Sequence, residues 1–404
     1  MTTTTTDGTL EQRQEVRTLA IVSSVHLVSH FYWLALVPLL PALTGLLGVS
    51  YLELGVALTL MNAVSAATQA PTGFMVDRFG ARLLLILGVM LGAAGFVLIA
   101  AVPTYPSLLV AAVLIGLGNA VYHPADYSIL SAEMNPQRMG RAYSVHTFSG
   151  YLGFAVAPPV VLGLAWLGGP RFALAASGLI GVVLALPLLP GLAQERRLAR
   201  APKAAAAPKT PALALITGSV VALTLMFTLV NLSTGMMQTY MVAAVSDLLN
   251  VAQSVGAMAL TIFFFALTAG VLAGGFVADR SSSQSLVALG GFGLAAVFAL
   301  MLPIFKPGAT LALVLIAASA FCAGLIMPSR DLLVRKAAPA DAVGRVFGIV
   351  TTGFNFGGMI GPLIGGALID WRAPAWVFYG SAAFMVMTVA IAVAVERSAA
   401  RVRP

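Results

Sequence analysis

Four histidines occur in the chain, His26, His30, His123 and His146, and all fall in long apolar stretches of its first half. Asp126 sits among them, and the second half adds Arg330 and Asp331 in similar surroundings. Ionisable side chains cost about 2.5–3.5 kcal/mol each at the centre of a bilayer, so they usually face a polar interior. Imidazole takes up and releases a proton near neutrality. A carboxylate beside it can share that proton. A guanidinium stays charged and presents a planar fork of donors, suited to a carboxylate, phosphonate or phenolate. Proton exchange and anion recognition are therefore the chemistry within reach.

Spacing groups these residues. His26 and His30 are four apart and share one helix face, as do Asn119, His123 and Asp126. His26 and His123 each lie roughly 12–14 Å from the same end of their segments, at about 1.5 Å per residue. Arg330 follows Asp126 by a constant offset that recurs elsewhere in the chain. Pro124, Gly140, Arg141, Gly153 and Pro158 reappear, in the same register, as Pro328, Gly344, Arg345, Gly357 and Pro362. Two related halves would put Asp126 and Arg330 at equal depth, facing each other across a central cavity. Arg330 is then the anion contact or countercharge. Asp126 and His123 lead as proton carriers, followed by His30 and His26. Asp331, near a helix end, is either interfacial or part of the site. Asn231, with Gln238 and Tyr240, either lines the cavity or makes ordinary interhelical hydrogen bonds. His146, at the start of its segment, reads as a hydrogen-bonded packing residue. Three histidines and an aspartate at one depth also suit a transition metal. Arg330 opposite argues against a free cation, so no metal ligand and no cofactor is assigned.

The elements that position these residues follow from composition. Of 404 residues, 59% are hydrophobic and 9% charged, against about 25% charged in a soluble domain. Twelve apolar segments approach the roughly 20 residues a membrane crossing needs. They are 18–46, 51–75, 83–102, 107–132, 142–166, 172–192, 213–241, 251–277, 285–304, 309–333, 345–369 and 374–395. The expected fold class is an all-α membrane protein, with twelve transmembrane helices in two pseudo-symmetric six-helix bundles. A tail (1–17) precedes the first bundle (18–193), a basic Ala/Pro linker (194–212) leads to the second (213–396), and a tail (397–404) follows.

The net charge of +8 lies in short loops, which argues against nucleic acid. Loops on the N-terminal side carry Arg13, Arg17, Arg78, Arg82, Arg138, Arg141, the linker's basic residues, Arg280, Arg335, Lys336 and Arg345. The opposite side carries Arg171, Lys306 and Arg372. By the positive-inside bias, both termini are cytoplasmic in a bacterial-type inner membrane. The single cysteine excludes a disulfide framework. The sequence has no Gly-x-Ser-x-Gly elbow, no His-Glu-x-x-His motif and no Walker-type loop. Enzymatic chemistry and ATP-driven pumping are not expected.

The repeat extends to a loop motif. Gly73-x-x-x-Asp77-Arg78-x-Gly80-x-Arg82 follows the second segment, and Gly275, Asp279 and Arg280 echo it in the other half. This motif resembles the cytoplasmic loop signature of the major facilitator superfamily. Gly361-Pro362-x-x-Gly365-Gly366 is similar to a Gly/Pro motif of the family's antiporters, which Gly153 to Pro159 matches in part. Gly116 to Ala125 is similar to a helix-four segment of the fosmidomycin-resistance-like branch. The resemblance implies two bundles rocking about a central cavity in a monomer. It also implies a cytoplasmic gate in which Asp77 meets the region of Arg345, with Arg78 and Arg82 locking their neighbours and Asp279 and Arg280 as the second copy. The expected activity is proton-coupled movement of a small organic solute, with export ahead of import. An uptake symporter for small carboxylates and a transporter of a transition metal or metallophore are the alternatives.

Overall fold

The computed structural model describes residues 4–135, 138–192, 215–281, 283–338 and 343–402. Regular structure among them is helical throughout. The first half comprises α1 (Thr4–Leu34), α2 (Leu40–Leu47), α3 (Tyr51–Phe79), α4 (Ala81–Ala101), α5 (Tyr105–Glu133) and α6 (Met139–Ala185). The second comprises α7 (Gly218–Leu249), α8 (Gln253–Arg280), α9 (Gln284–Phe305), α10 (Ala309–Ala337), α11 (Val343–Asp370) and α12 (Ala375–Val402). The linker expected at 194–212 lies outside the described residues.

Among the described residues, eleven stretches are long and apolar enough to cross a membrane. One of them, Val145–Gly191, has 47 residues. As a straight helix it would run about 70 Å, over twice a hydrocarbon core of about 30 Å. It breaks at Gly169, where φ is 79° and ψ 176°, a conformation a side chain would resist. Pro170, its φ already set for a helix, starts the next run. This stretch therefore makes two crossings, and the architecture is that of a twelve-crossing all-α membrane protein. The first segment also differs from the single helix expected over 18–46. It divides into α1, a tight turn at Val37–Leu39, and α2. Pro38 and Pro41 lack the amide hydrogens that a continuous helix would use there.

The chain forms two compact units, one of Met1–Leu39 with Leu60–Lys203, the other of Leu40–Thr59 with Ala204–Pro404. In the first, α1 packs along α6 and α4 along α5. A Cβ built on Gly118 would lie 2.5 Å from the carbonyl oxygen of Gly88, so α4 and α5 meet backbone to backbone. Small residues permit such approach in lipid, where apolar burial drives little association. Tyr32 Oη donates to the carbonyl oxygen of Gly178 at 2.6 Å and ties α1 to α6.

In the second unit, α7 packs along α11 and α8 along α10. The start of α3 belongs to this unit for a local reason. Ser50 and Glu53 form a reciprocal capping box: the Ser50 amide donates to Glu53 Oε2 at 2.8 Å, and the Glu53 amide donates to Ser50 Oγ at 3.2 Å. The next two amides, of Tyr51 and Leu52, donate to the Asp370 carboxylate at 3.0 and 2.8 Å. That anion satisfies otherwise unpaired donors and faces the positive end of the helix. One turn further on, Gly55 lies against the carbonyl of Pro362, which also accepts from Tyr240 Oη at 2.7 Å.

Candidate functional site

In the first unit, α1, α5 and α6 bring all four histidines around Asp126. Asp126 is fully buried. Its Oδ2 lies 3.1 Å from His26 Nδ1 and 3.4 Å from His146 Nε2. The first contact has hydrogen-bond geometry, and with the proton on Nδ1 the His26 ring donates to the carboxylate. The second is close enough for charge attraction but off the line a hydrogen bond needs. Ring centroids of His26 lie 3.7 Å from His146, 4.7 Å from His30 and 5.3 Å from His123.

Local sequence explains how four imidazoles fit. His26 and His30 stack one turn apart on α1. Opposite them, Gly150 of α6 has no side chain: a Cβ there would sit 2.7 Å from His30 Nε2 and 2.8 Å from His26 Nε2. On α5, Tyr127 lies nearly parallel to the rings of His123 and His146, at 6.2 and 5.4 Å. Phe154 meets the His30 ring edge-on at 4.4 Å. His26 and His146 are buried, His30 is partly exposed and His123 is exposed. The cluster thus runs from a closed interior to an open edge.

Such an arrangement handles protons. An ionised carboxylate buried away from water is expensive unless paired. A protonated imidazole beside Asp126 supplies that pairing, so the group can hold one proton shared between carboxylate and ring. Asp126 Oδ1, His30 Nδ1 and both ring nitrogens of His146 find no hydrogen-bond partner among the described residues. Capacity is left over for a further proton, a water or an ion. His146 is the member that spacing alone did not select. Its burial within α6, which begins at Met139, places it two turns into the helix rather than at its edge. Asn119, one turn before His123 on α5, donates from Nδ2 to Ser65 Oγ at 2.9 Å.

The second unit places Arg330, on α10, in a different setting. Its Cζ lies 4.4 Å from the ring centroid of Phe227 on α7 and 4.9 Å from that of Phe354 on α11. The two rings touch at 4.7 Å and form a corner under the cation. Contacts of this kind are worth about 0.5–2 kcal/mol each. Arg330 Nε donates to Asp331 Oδ1 at 3.0 Å, and Nη1 donates to Met327 Sδ at 3.2 Å. Arg330 is buried whereas the Asp331 side chain is half-exposed. Asn231 belongs to this corner, since its Nδ2 donates to the Phe354 carbonyl oxygen at 2.9 Å. The guanidinium thus rests over aromatic rings, with one carboxylate satisfying part of its edge.

Of the expected gate residues, Arg82 is buried and its Nη2 lies 2.6 Å from Glu133 Oε1. Thr18 Oγ1 also donates to Glu133, at 2.8 Å. Glu133 joins α1, α4 and α5 at this end, a partner the sequence reading did not name. Arg78 is exposed, with its Cζ 5.2 Å from the ring of Phe79, and Arg280 is exposed. The side chains of Asp77, Asp279 and Arg345 lie outside the described residues.

An all-helical fold with twelve crossings and ionisable side chains inside its helices defines a polytopic membrane protein built to pass solute or charge. The model of the Major Facilitator Superfamily matches residues 22–255 and 223–404, and the chain belongs to that family. The fosmidomycin resistance protein of Escherichia coli is 25% identical over 371 residues, spanning 90% of this chain and 89% of that one. The probable L-galactonate transporter of Escherichia coli is 26% identical over 140 residues, 35% of this chain and 31% of its own length. Among solved structures, an inward-facing, unoccupied bacterial homologue of the human lysosomal transporter Spinster superposes with a TM-score of 0.75. It is 15% identical and covers 96% of this chain and 98% of its own. The chain is therefore a multi-pass membrane transporter and not an enzyme.

Proposed function

We propose that this transporter moves a small organic anion or drug-like amphiphile across the bacterial inner membrane by proton-coupled alternating access, in the direction of export. The observation that carries this reading is fully buried Asp126 with His26 and His146 against one of its oxygens. A closed carboxylate–imidazole group is suited to hold a proton in one state of a cycle and release it in another. His30 and exposed His123 would connect it to water. Arg330, resting on Phe227 and Phe354, is the proposed anion contact, with Asp331 and Asn231 positioning it.

In this reading, bundles at 18–193 and 213–396 alternate access to the solute, with Asp126 of the first handling the proton and Arg330 of the second the anion. Asn119 adds a polar wall. Asp77, Arg78, Arg82, Asp279, Arg280 and Arg345 close the cytoplasmic side. Both termini are cytoplasmic, and the functional unit is a monomer in the bilayer. The name of the fosmidomycin resistance relative supports export of an anionic drug. The name of the L-galactonate relative favours a second reading, proton-driven uptake of a small carboxylate. Transport of fosmidomycin, a phosphonate, and of L-galactonate into proteoliposomes under imposed pH gradients separates the two. Antiport predicts that fosmidomycin moves against the direction of proton flow. Co-movement with protons supports the symporter, and indifference to the gradient contradicts proton coupling.

A further inference from the structure

We infer that the Asp126 cluster is also a binding site for a divalent first-row transition metal ion, with His26 Nδ1, Asp126 Oδ2 and His146 Nε2 as its ligands. These three atoms, all buried, lie within 4.8 Å of one another. In a tetrahedral Zn2+ site, bonds of about 2.0–2.2 Å place neighbouring ligand atoms roughly 3.4 Å apart. Two of the three edges already fit, at 3.1 and 3.4 Å. The third is at most 4.8 Å, and no hydrogen bond among the described residues holds the His146 ring against turning to shorten it.

The donor set matches the chemistry. Imidazole and carboxylate suit Zn2+, Ni2+ or Co2+ better than the all-oxygen sites of Ca2+ and Mg2+. One carboxylate with neutral imidazoles gives the pocket a net charge of −1, and His30 and His123 bring no fixed cation. The fourth position is left to a water, as in sites that keep three protein ligands and one open position. Unpartnered Asp126 Oδ1 stands ready to orient that water or to share the ion. His123, on the exposed edge of the cluster, has its ring centroid 5.3 Å from that of His26.

An ion bound there occupies the oxygen and nitrogens that would otherwise hold the proton. Zn2+ should therefore compete with the proton and stop gradient-driven transport. That consequence rests on the proton reading above, whereas binding itself does not. Titration of Zn2+ into the purified, untagged full chain in nanodiscs tests the site without any transport assay. The expected result is one saturable ion per chain, with Co2+ in its place giving the intense ligand-field absorption of a tetrahedral site. Asp126→Asn and His146→Gln should each lower affinity by at least about tenfold, since even outer-shell changes cost 10–100-fold. Cys322→Ser, removing the free buried thiol, should leave binding unchanged. Helix content and gel filtration certify that each variant is folded, and His26→Gln replaces any that is not. No saturable Zn2+ uptake by the wild type, or unaltered affinity in folded ligand variants, overturns the inference. Zn2+ binding without inhibition of transport would instead contradict the proton reading.

Discussion

Asp126 and Arg330 occupy one position of the repeat, yet their neighbourhoods differ sharply in chemistry. Around Arg330 stand Met327, Phe354 and Phe227; at the same repeat positions the first half has His123, Gly150 and Ser23. Glycine at 150 opens room for two imidazoles, where phenylalanine at 354 closes it and gives a guanidinium a ring to rest on. The His123 position, one turn from the charge, is a titratable ring in one unit and a thioether accepting from Arg330 in the other. One helical framework thus carries a group that can change charge and a group that cannot. The proposed coupling of a proton to an anion needs both.

Substitutions that blur this difference should cost function in proportion to how far they erase it. The largest effect is expected from Gly150→Ala. Its Cβ would press on His26 and His30 within 2.8 Å, and overpacking of this kind costs about 1–3 kcal/mol. Thermal unfolding in detergent should show a lower midpoint, and gradient-driven transport should fall with it. Gly163→Ala, with open space around it, should change neither; a matched loss in both would mean that the imidazole cluster is not what Gly150 protects.

Arg330→Lys comes next. It keeps the charge but loses the fork that rests over Phe227 and Phe354. Fosmidomycin affinity, read by calorimetry, should drop about tenfold, or roughly 1.4 kcal/mol. Unchanged affinity would remove Arg330 from the anion site. Phe354→Leu should have the smallest effect, removing one ring from the corner at about 0.5–1 kcal/mol. That corresponds to a two- to fivefold loss of affinity with proton coupling intact. A change in coupling instead would show that the two neighbourhoods are not separable.

Much of this comparison was legible in the sequence, for physical reasons. Charges inside apolar segments are rare enough to point at themselves, and helical periodicity put His26 with His30 and His123 with Asp126. The repeat register linked Asp126 to Arg330 before any fold was known. What periodicity cannot supply is the partner from another helix. His146 looked like an end-of-segment packing residue because apolar content alone started its segment at 142, whereas the helix begins at Met139 and carries it beneath Asp126. The ring corner under Arg330 draws on α7 and α11, over a hundred residues apart in the chain, and nothing local in either segment marks it. The same holds for Glu133 as the partner of Arg82, and for Asp370 capping the start of α3. The break of the first segment at 35–39 was written in Pro38 and Pro41, whose missing amides hydropathy does not register.

The division of labour between the two units is tested most directly by recording proton and fosmidomycin movement together, with a pH-sensitive dye sealed inside proteoliposomes. For the wild type, addition of fosmidomycin should drive a proportional proton flux. Asp126→Asn should still exchange fosmidomycin down its gradient while its proton flux falls to that of protein-free vesicles. Fosmidomycin-driven proton movement of undiminished size in Asp126→Asn would contradict the assignment.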